Sequence, residues 1–162
     1  MAIVLYTDGA VRGNGTPQAR ASWAYVAVWR EKPMQHQTGE TRWERAGLVE
    51  TDPKVVPDFI GAEKHTNNTG ELSAIYWALR FLQSPMAPPE WPAFVMTDSK
   101  YAISMIRGEK AVHANKELVR KIRKLYFGLR EKQVVTLKWV KGHVGIKFNE
   151  RADELATKVL DG

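Results

Sequence analysis

The sequence predicts an α/β fold, a mixed sheet of about five strands with helices on its faces. Two observations carry that expectation. Short runs rich in Val, Ile, Trp and Tyr alternate with longer stretches whose apolar residues recur at helical spacing. The order along the chain reads β-β-β-α-β-α-α-β-α, with strands gathered first and helices interleaved afterwards. The 162 residues contain no repeat, low-complexity stretch or linker, so 1–162 reads as a single domain.

Residues 2–7 form an apolar run that ends at Asp8-Gly9, and Gly9, Gly13, Gly15 and Pro17 mark a turn-rich link. Residues 21–29 alternate as a second strand, pairing with the first as a hairpin with a long loop. Residues 31–64 are polar and broken by Pro33, Pro53 and Pro57. Within them Trp43–Val49 and Val55–Ala62 are both candidate strands. Thr69-Gly70-Glu71 opens a helix through Gln83, with Leu72, Ile75, Leu79 and Leu82 on one face. Prolines 85, 88, 89 and 92 end it. Ala93–Thr97 is a short buried strand, and Asp98-Ser99 caps a helix to about Arg107. Asn115 caps a helix to about Arg130. Val134–Val140 is the last strand, 141–148 a glycine-containing loop, and Asn149–Val159 the final helix.

Composition narrows the function classes. Hydrophobic residues make up 44% and charged residues 26%, ordinary globular values. The absence of Cys excludes a disulfide framework and thiolate metal sites. No apolar run approaches the ~20 residues of a membrane span. Residues 1–7 lack a basic start and a long apolar core, so the expectation is a cytoplasmic protein. Met1 at the start of a strand favours a free-standing chain. The net charge is +6, but residues 100–141 hold twelve Lys/Arg against three Asp/Glu. That concentration suits a polyanion held by one region and attacked at another, and equally suits a solvated lysine-rich helix face.

Asp8 and Asp98 each sit just beyond a predicted strand, where open α/β sheets form their sites. If the two strands are neighbours, both carboxylates enter one crevice. Taken singly, Asp-Gly is also a common turn pair and Asp-Ser a common cap. Glu71 falls in the first turn of its helix, a position the helix dipole favours. Asp153 lies among Glu150 and Glu154, and periodicity does not choose between the three. Three or four carboxylates from separate elements suit hard divalent cations that act on a phosphodiester.

Five stretches go beyond generic pattern: Thr7-Asp8-Gly9-Ala10, Thr66-Asn67-Asn68-Thr69-Gly70-Glu71-Leu72, Thr97-Asp98-Ser99-Lys100-Tyr101, Trp139-Val140-Lys141-Gly142-His143-Val144-Gly145, and 149–156. Together, and in this order, they resemble the type 1 ribonuclease H family. The resemblance implies a ribonuclease H-like fold and hydrolysis of the RNA strand of RNA·DNA hybrids, leaving 3′-hydroxyl and 5′-phosphate ends. It implies two Mg²⁺ ions, with Mn²⁺ as a substitute, on Asp8, Glu71, Asp98 and Asp153. His143 resembles the loop histidine that assists proton movement and product release, against the plainer reading of a surface-loop histidine. Asn14, Asn68 and Ser99 match positions that read the hybrid's minor groove. Thr66 and Asn115 resemble the pocket that grips a DNA-strand phosphate, and Lys100 stands where Gln is frequent. The implied partner is the hybrid, with no membrane, and the implied state is a monomer.

Two departures stand out. Many members carry a basic, Trp-containing protrusion after the Asp98 helix, and residues 107–115 leave little room for it. In this the chain is similar to retroviral ribonuclease H domains. The basic face of 116–132 is expected to compensate. The segment 31–64 is longer than the usual connection, and its role is open. A hybrid-binding module without catalysis would not need the complete carboxylate set. A transposase or integrase core would act on DNA and typically carries further domains.

Overall fold

The computed structural model describes residues 1–162. Five strands, β1 (Ala2–Arg12), β2 (Arg20–Arg30), β3 (Glu40–Leu48), β4 (Ala93–Thr97) and β5 (Val135–Trp139), form one sheet in the order β3-β2-β1-β4-β5. The helices are α1 (Asn67–Leu82), α2 (Lys100–Arg107), α3 (Lys116–Arg130) and α4 (Lys147–Asp161). The first three strands pair antiparallel, while β4 and β5 run parallel to β1, so the sheet is mixed as expected. No helix is long and apolar enough to cross a membrane.

Strand alternation divides the core in two. Ile3, Leu5, Trp23, Tyr25 and Ala27 point to one face, where they pack with α1, α2 and α3. Val4, Tyr6, Val26 and Val28 point to the other, against Phe148 and Ala152 of α4. An α1 with apolar residues on more than one side suits this arrangement, because it is covered by the sheet below and α3 beside it.

The structure corrects several boundaries. Val55–Ala62 is not a strand but a series of turns, because Pro53 and Pro57 interrupt ladder donors. The third strand is 40–48, near the other candidate. Asp8-Gly9 does not end β1: β2 continues to pair with it through Arg12↔Arg20. Helix α1 starts two residues before the expected Thr69, capped by Thr66, whose Oγ1 accepts from Thr69 N–H at 3.1 Å. Glu71 therefore lies beyond the first turn, and dipole preference does not explain it. Asn115 precedes α3 but does not cap it with its side chain. Its backbone is left-handed at φ 55°, and its amide reaches elsewhere. Helix α4 begins at Lys147, not Asn149. Between α2 and α3 the chain spends only 108–115, so the protrusion is absent.

One contact sets the depth at which α1 sits. A Cβ at Gly9 would lie 2.5 Å from Glu71 N, and one at Gly70 would lie 2.6 Å from the Ser22 carbonyl oxygen. Two glycines thus let helix and sheet backbones touch, at a point where the opposing atoms are backbone and cannot yield. Gly9→Ala and Gly70→Ala are each expected to cost about 1–3 kcal/mol of stability. Chemical denaturation measures this, and a loss no larger than that of Gly128→Ala, where a Cβ would meet open space, contradicts it.

Candidate active site

The parallel pairing of β1 with β4 ends at Tyr6↔Met96. Asp8 and Asp98 each lie two residues past that pair, in the same register and beyond the parallel ladder. The condition left open by the sequence, that these two strands be neighbours, is met. Asp8 is inside β1 by its pairing with β2, yet past the strand's end as β4 sees it. From the other face, Gly9 leaves room for α1, and Glu71 approaches Asp8. Carboxylate oxygens of Asp8, Glu71 and Asp98 all lie within 4.8 Å of one another.

The pair at the centre is strongly desolvated. Asp8 and Glu71 are each 4% exposed. The Gly9 N–H donates to Asp8 Oδ1 at 2.9 Å and to Glu71 Oε1 at 3.2 Å, one donor shared between two acids. Glu71 Oε2 is buried with no hydrogen-bond partner. Burial, with the Asp98 and Asp153 charges adding to it, pushes the Asp8 carboxyl up to about 7. Burial and the Asp8 and Asp98 charges push Glu71 well above the carboxylate range. Asp98 is also raised by burial, although His143 opposes the rise.

Asp153 stands outside this tight trio but lines the same cavity of about 290 Å³, with Asn67, Ser99 and His143. The structure separates it from its acidic neighbours. Glu154 turns outward to Arg151 at 2.8 Å and Lys158 at 3.1 Å, and Glu150 is exposed. Arg151 also holds Glu44 of β3 at 2.6 Å, which fixes α4 against the sheet. The His143 loop closes over Asp98. A Cβ at Gly142 would collide with Asp98 Oδ2, and His143 itself takes a left-handed backbone at φ 57°. On the other side Trp139 Nε1 donates to the Asp98 carbonyl at 3.1 Å, and Lys100 Nζ lies 4.5 Å from the Trp139 ring centroid.

The remaining sequence candidates fall in three places. Ser99 lines the cavity and caps α2 by accepting from Ala102 N–H at 3.0 Å. Asn68 does not line it. Its neighbour Asn67 does, which sequence reasoning missed because both fall in one Thr-Asn-Asn run without a fixed helix phase. Asn14 is exposed in the β1–β2 turn, outside the cavity. Thr66 and Asn115 are brought together through Thr69: the Thr66 and Thr69 hydroxyls lie 2.7 Å apart, and Asn115 Nδ2 donates to Thr69 Oγ1 at 3.1 Å. Asn115 Oδ1 accepts from Glu63 N–H at 3.2 Å, so its amide ties the 62–66 segment to the start of α3.

The chemistry of this donor set fits hard divalent cations. It offers oxygen ligands from three elements, an orphaned buried carboxylate oxygen, and mutual repulsion that a cation relieves. A larger cavity, about 740 Å³ between α1 and α3, carries one carboxylate, Glu131, and no such cluster.

The RNase H family profile matches residues 1–161. Ribonuclease H of Agrobacterium fabrum (strain C58) is 33% identical over 169 residues, covering 97% of this chain and 93% of its own. RNase H1 from the halophilic archaeon Halobacterium salinarum NRC-1 shares the fold, with TM-score 0.68 and 22% identity over 99% of this chain and 98% of that one. LC11-RNase H1 from compost, solved in complex with an RNA/DNA hybrid, matches with TM-score 0.67 and 22% identity over 98% and 96% of the two chains. The RNase H domain of prototype foamy virus matches with TM-score 0.66 and 19% identity over 97% and 93%. These structural likenesses speak to the fold alone, but the profile and the Agrobacterium relative extend over nearly the whole sequence, and on them the chain belongs to the RNase H family of ribonuclease H enzymes.

Proposed function

We propose that this chain hydrolyses the RNA strand of RNA·DNA hybrids and leaves 3′-hydroxyl and 5′-phosphate ends. The observation that carries the reading is the meeting of Asp8, Glu71 and Asp98, from three elements, within 4.8 Å at the end of the parallel ladder. With Asp153 they would hold two divalent cations, Mg²⁺ or Mn²⁺. Bound there, the cations supply Lewis-acid activation of water and neutralise charge at the scissile phosphate. The hybrid bound by LC11-RNase H1 supports the substrate class.

The chain's own groups do the rest. Hydrolysis puts a hydroxyl on phosphorus and a proton on the departing 3′-oxygen. His143, lining the cavity on a glycine-flanked loop, moves that proton and swings aside as the product leaves. Ser99 and Asn67 at the cavity, with Asn68 and Asn14 further out, donate to and accept from the minor groove, where the 2′-hydroxyl distinguishes RNA. Thr66 and Asn115, joined through Thr69, take a phosphate of the DNA strand. Lys100 adds charge beside the site. The enzyme works as a monomer in the cytoplasm.

Three measurements test this. With labelled substrates and Mg²⁺, only the RNA strand of the hybrid is cut, and EDTA or Asp98→Asn abolishes cutting. Cleavage of duplex DNA, or activity in EDTA, overturns the reading.

The second concerns pH. The Asp8 pKa is raised in the fold, so the folded state holds more protons than the unfolded chain between the two values. The stability this contributes is full below the unfolded pKa, about 4, and is lost as pH rises through about 7. Without cations, Tm of the wild type therefore falls relative to Asp8→Asn over that interval, and Mg²⁺ restores it above the interval. A Tm gap independent of pH and of Mg²⁺ counts against the site.

The third concerns the basic helix. Arg123 is engaged, its Nε donating to the Met105 carbonyl at 2.8 Å, so the free charges of α3 include Arg120 and Lys124. Reversing Arg120 and Lys124 weakens hybrid binding and lowers the salt slope by about one per lost phosphate contact. Unchanged affinity and slope defeat the idea that α3 replaces the protrusion.

A further inference from the structure

The segment 31–39 after β2 has no regular structure, yet it is organised around one buried charge. Arg30 is 1% exposed and has no carboxylate partner. Its guanidinium donates instead to backbone carbonyls of the segment: Pro33 at 2.9 Å, His36 at 3.2 Å and Thr38 at 2.9 Å. It also donates to Tyr6 Oη at 2.6 Å, and lies 5.4 and 5.6 Å from the Tyr6 and Phe148 ring centroids. Arginine can only donate, so the Tyr6 hydroxyl keeps its own proton for His36 Nδ1, 2.7 Å away. A buried cation that has shed its water must keep these acceptors, and that fixes the path of residues 33–38.

That path presents one side chain to the active-site loop. Gln37 Nε2 donates to the Gly145 carbonyl at 2.7 Å, and Gln37 Oε1 accepts from Lys147 N–H at 3.0 Å. The two bonds fix the amide orientation, since reversing it would pair donor with donor and acceptor with acceptor. They also meet a local need. Helix α4 begins after Ile146, which has no side-chain oxygen to cap it. Gln37 supplies the missing acceptor from 110 residues away and in the same stroke holds the carbonyl two residues after His143.

We propose that Gln37 is a positioning residue that holds the loop carrying His143, with the Arg30-organised segment as its mount. The loop has Gly142 at one end, packed on Asp98, and Gly145 at the other, in a left-handed backbone at φ 83°. Gln37 anchors the second end. Its effect on catalysis rests on the role given to His143 above, whereas its hold on the loop does not.

The test uses two exposed-site variants of the full chain. Gln37→Met keeps the stem and removes both polar atoms. Gln37→Glu keeps the acceptor for Lys147 N–H at the helix N-terminus, where a carboxylate is favoured, but cannot donate to Gly145. Tryptic cleavage at Lys141 and Lys147 is followed without substrate, alongside steady-state kinetics on the hybrid. Both variants are expected to speed cleavage at these lysines and to lower kcat with KM unchanged, Gln37→Glu about fivefold, the worth of one lost hydrogen bond, and Gln37→Met by at least as much. In a His143→Ala background neither substitution lowers kcat further. Wild-type cleavage rates in both variants overturn the proposal. So does a Gln37→Glu protein that behaves as wild type, which would make Gln37 a helix cap and nothing more. If His143→Ala leaves kcat unchanged while the loop is still released, the reading of His143 fails and the anchoring stands.

Discussion

Two carboxylates share one backbone N–H at the centre of this molecule, and much of the architecture is arranged to keep them there. Asp8 and Glu71 come from opposite faces of the sheet, and like charges in a desolvated place resist meeting. They meet because Gly9 and Gly70 remove the only side chains that would hold α1 off the strand. The helix is then committed by its apolar residues, which bury Leu72, Ile75 and Leu79 completely. At about 25 cal/mol per Å², such burial supplies the driving force that brings the acids together. Proton uptake or a cation relieves this strain, and the raised pKa of both carboxyls reflects it, burial first and the neighbouring charges second. Core packing thus prepares a site that is uncomfortable when empty of positive charge.

Much of this frame was legible in the sequence. Strand and helix order followed from periodicity, and sites at strand ends made Asp8 and Asp98 possible partners, on the condition, met by the fold, that their strands are neighbours. What escaped has a common cause. The Asp8-Gly9 pair looks like a turn because local chemistry cannot show that β2, reached only after a loop, continues the ladder through Arg12. Periodicity alone could not tell Asp153 from Glu150 and Glu154, and only the family resemblance singled it out, since their difference lies in what α4 faces. Glu154 is spoken for by Arg151 and Lys158, and only the fold shows it. Asn115 looks like a cap, but its left-handed backbone sends the amide to Thr69 and Glu63 instead. Asn67 and Gln37 carried no signal, because each acts through a contact distant in sequence.

The missing protrusion changes where positive charge must act. Residues 100–141 hold most of the basic surplus, and the fold distributes it over the starts and flanks of α2 and α3 and over β5. Some of that charge is structural. Arg107 donates to the Leu137 carbonyl at 2.6 Å and Arg123 to Met105, both stitching α2 to its neighbours. What remains for a polyanion is smaller than the count suggests. Lys100 is distinctive within it, since it rides on Trp139 while that indole holds the Asp98 backbone. A phosphate drawn toward Lys100 would meet the repulsion of the Asp98 carboxylate, which a divalent cation held there would offset.

The site divides into a rigid part and an adjustable part, and the division follows from burial. The Asp8–Glu71 pair is locked by sheet pairing and by a helix that cannot be shifted without opening a cavity. His143 sits on an exposed loop between two glycines, where backbone freedom is high and few apolar contacts restrain it. The role proposed for His143, moving a proton and letting product leave, would benefit from that freedom, but only if the side chain returns to one place. The segment 31–39 gives it a place to return to. Arg30 makes the segment rigid at the cost of a buried, unpaired charge, a cost that nothing in the packing of β2 requires. Replacing that arginine by an apolar residue would leave the Pro33, His36 and Thr38 carbonyls without their donor and release the segment they belong to. Its presence is therefore better explained by the path it imposes on residues 33–38 than by any stability it adds, and that path leads to Gln37 and the loop it holds.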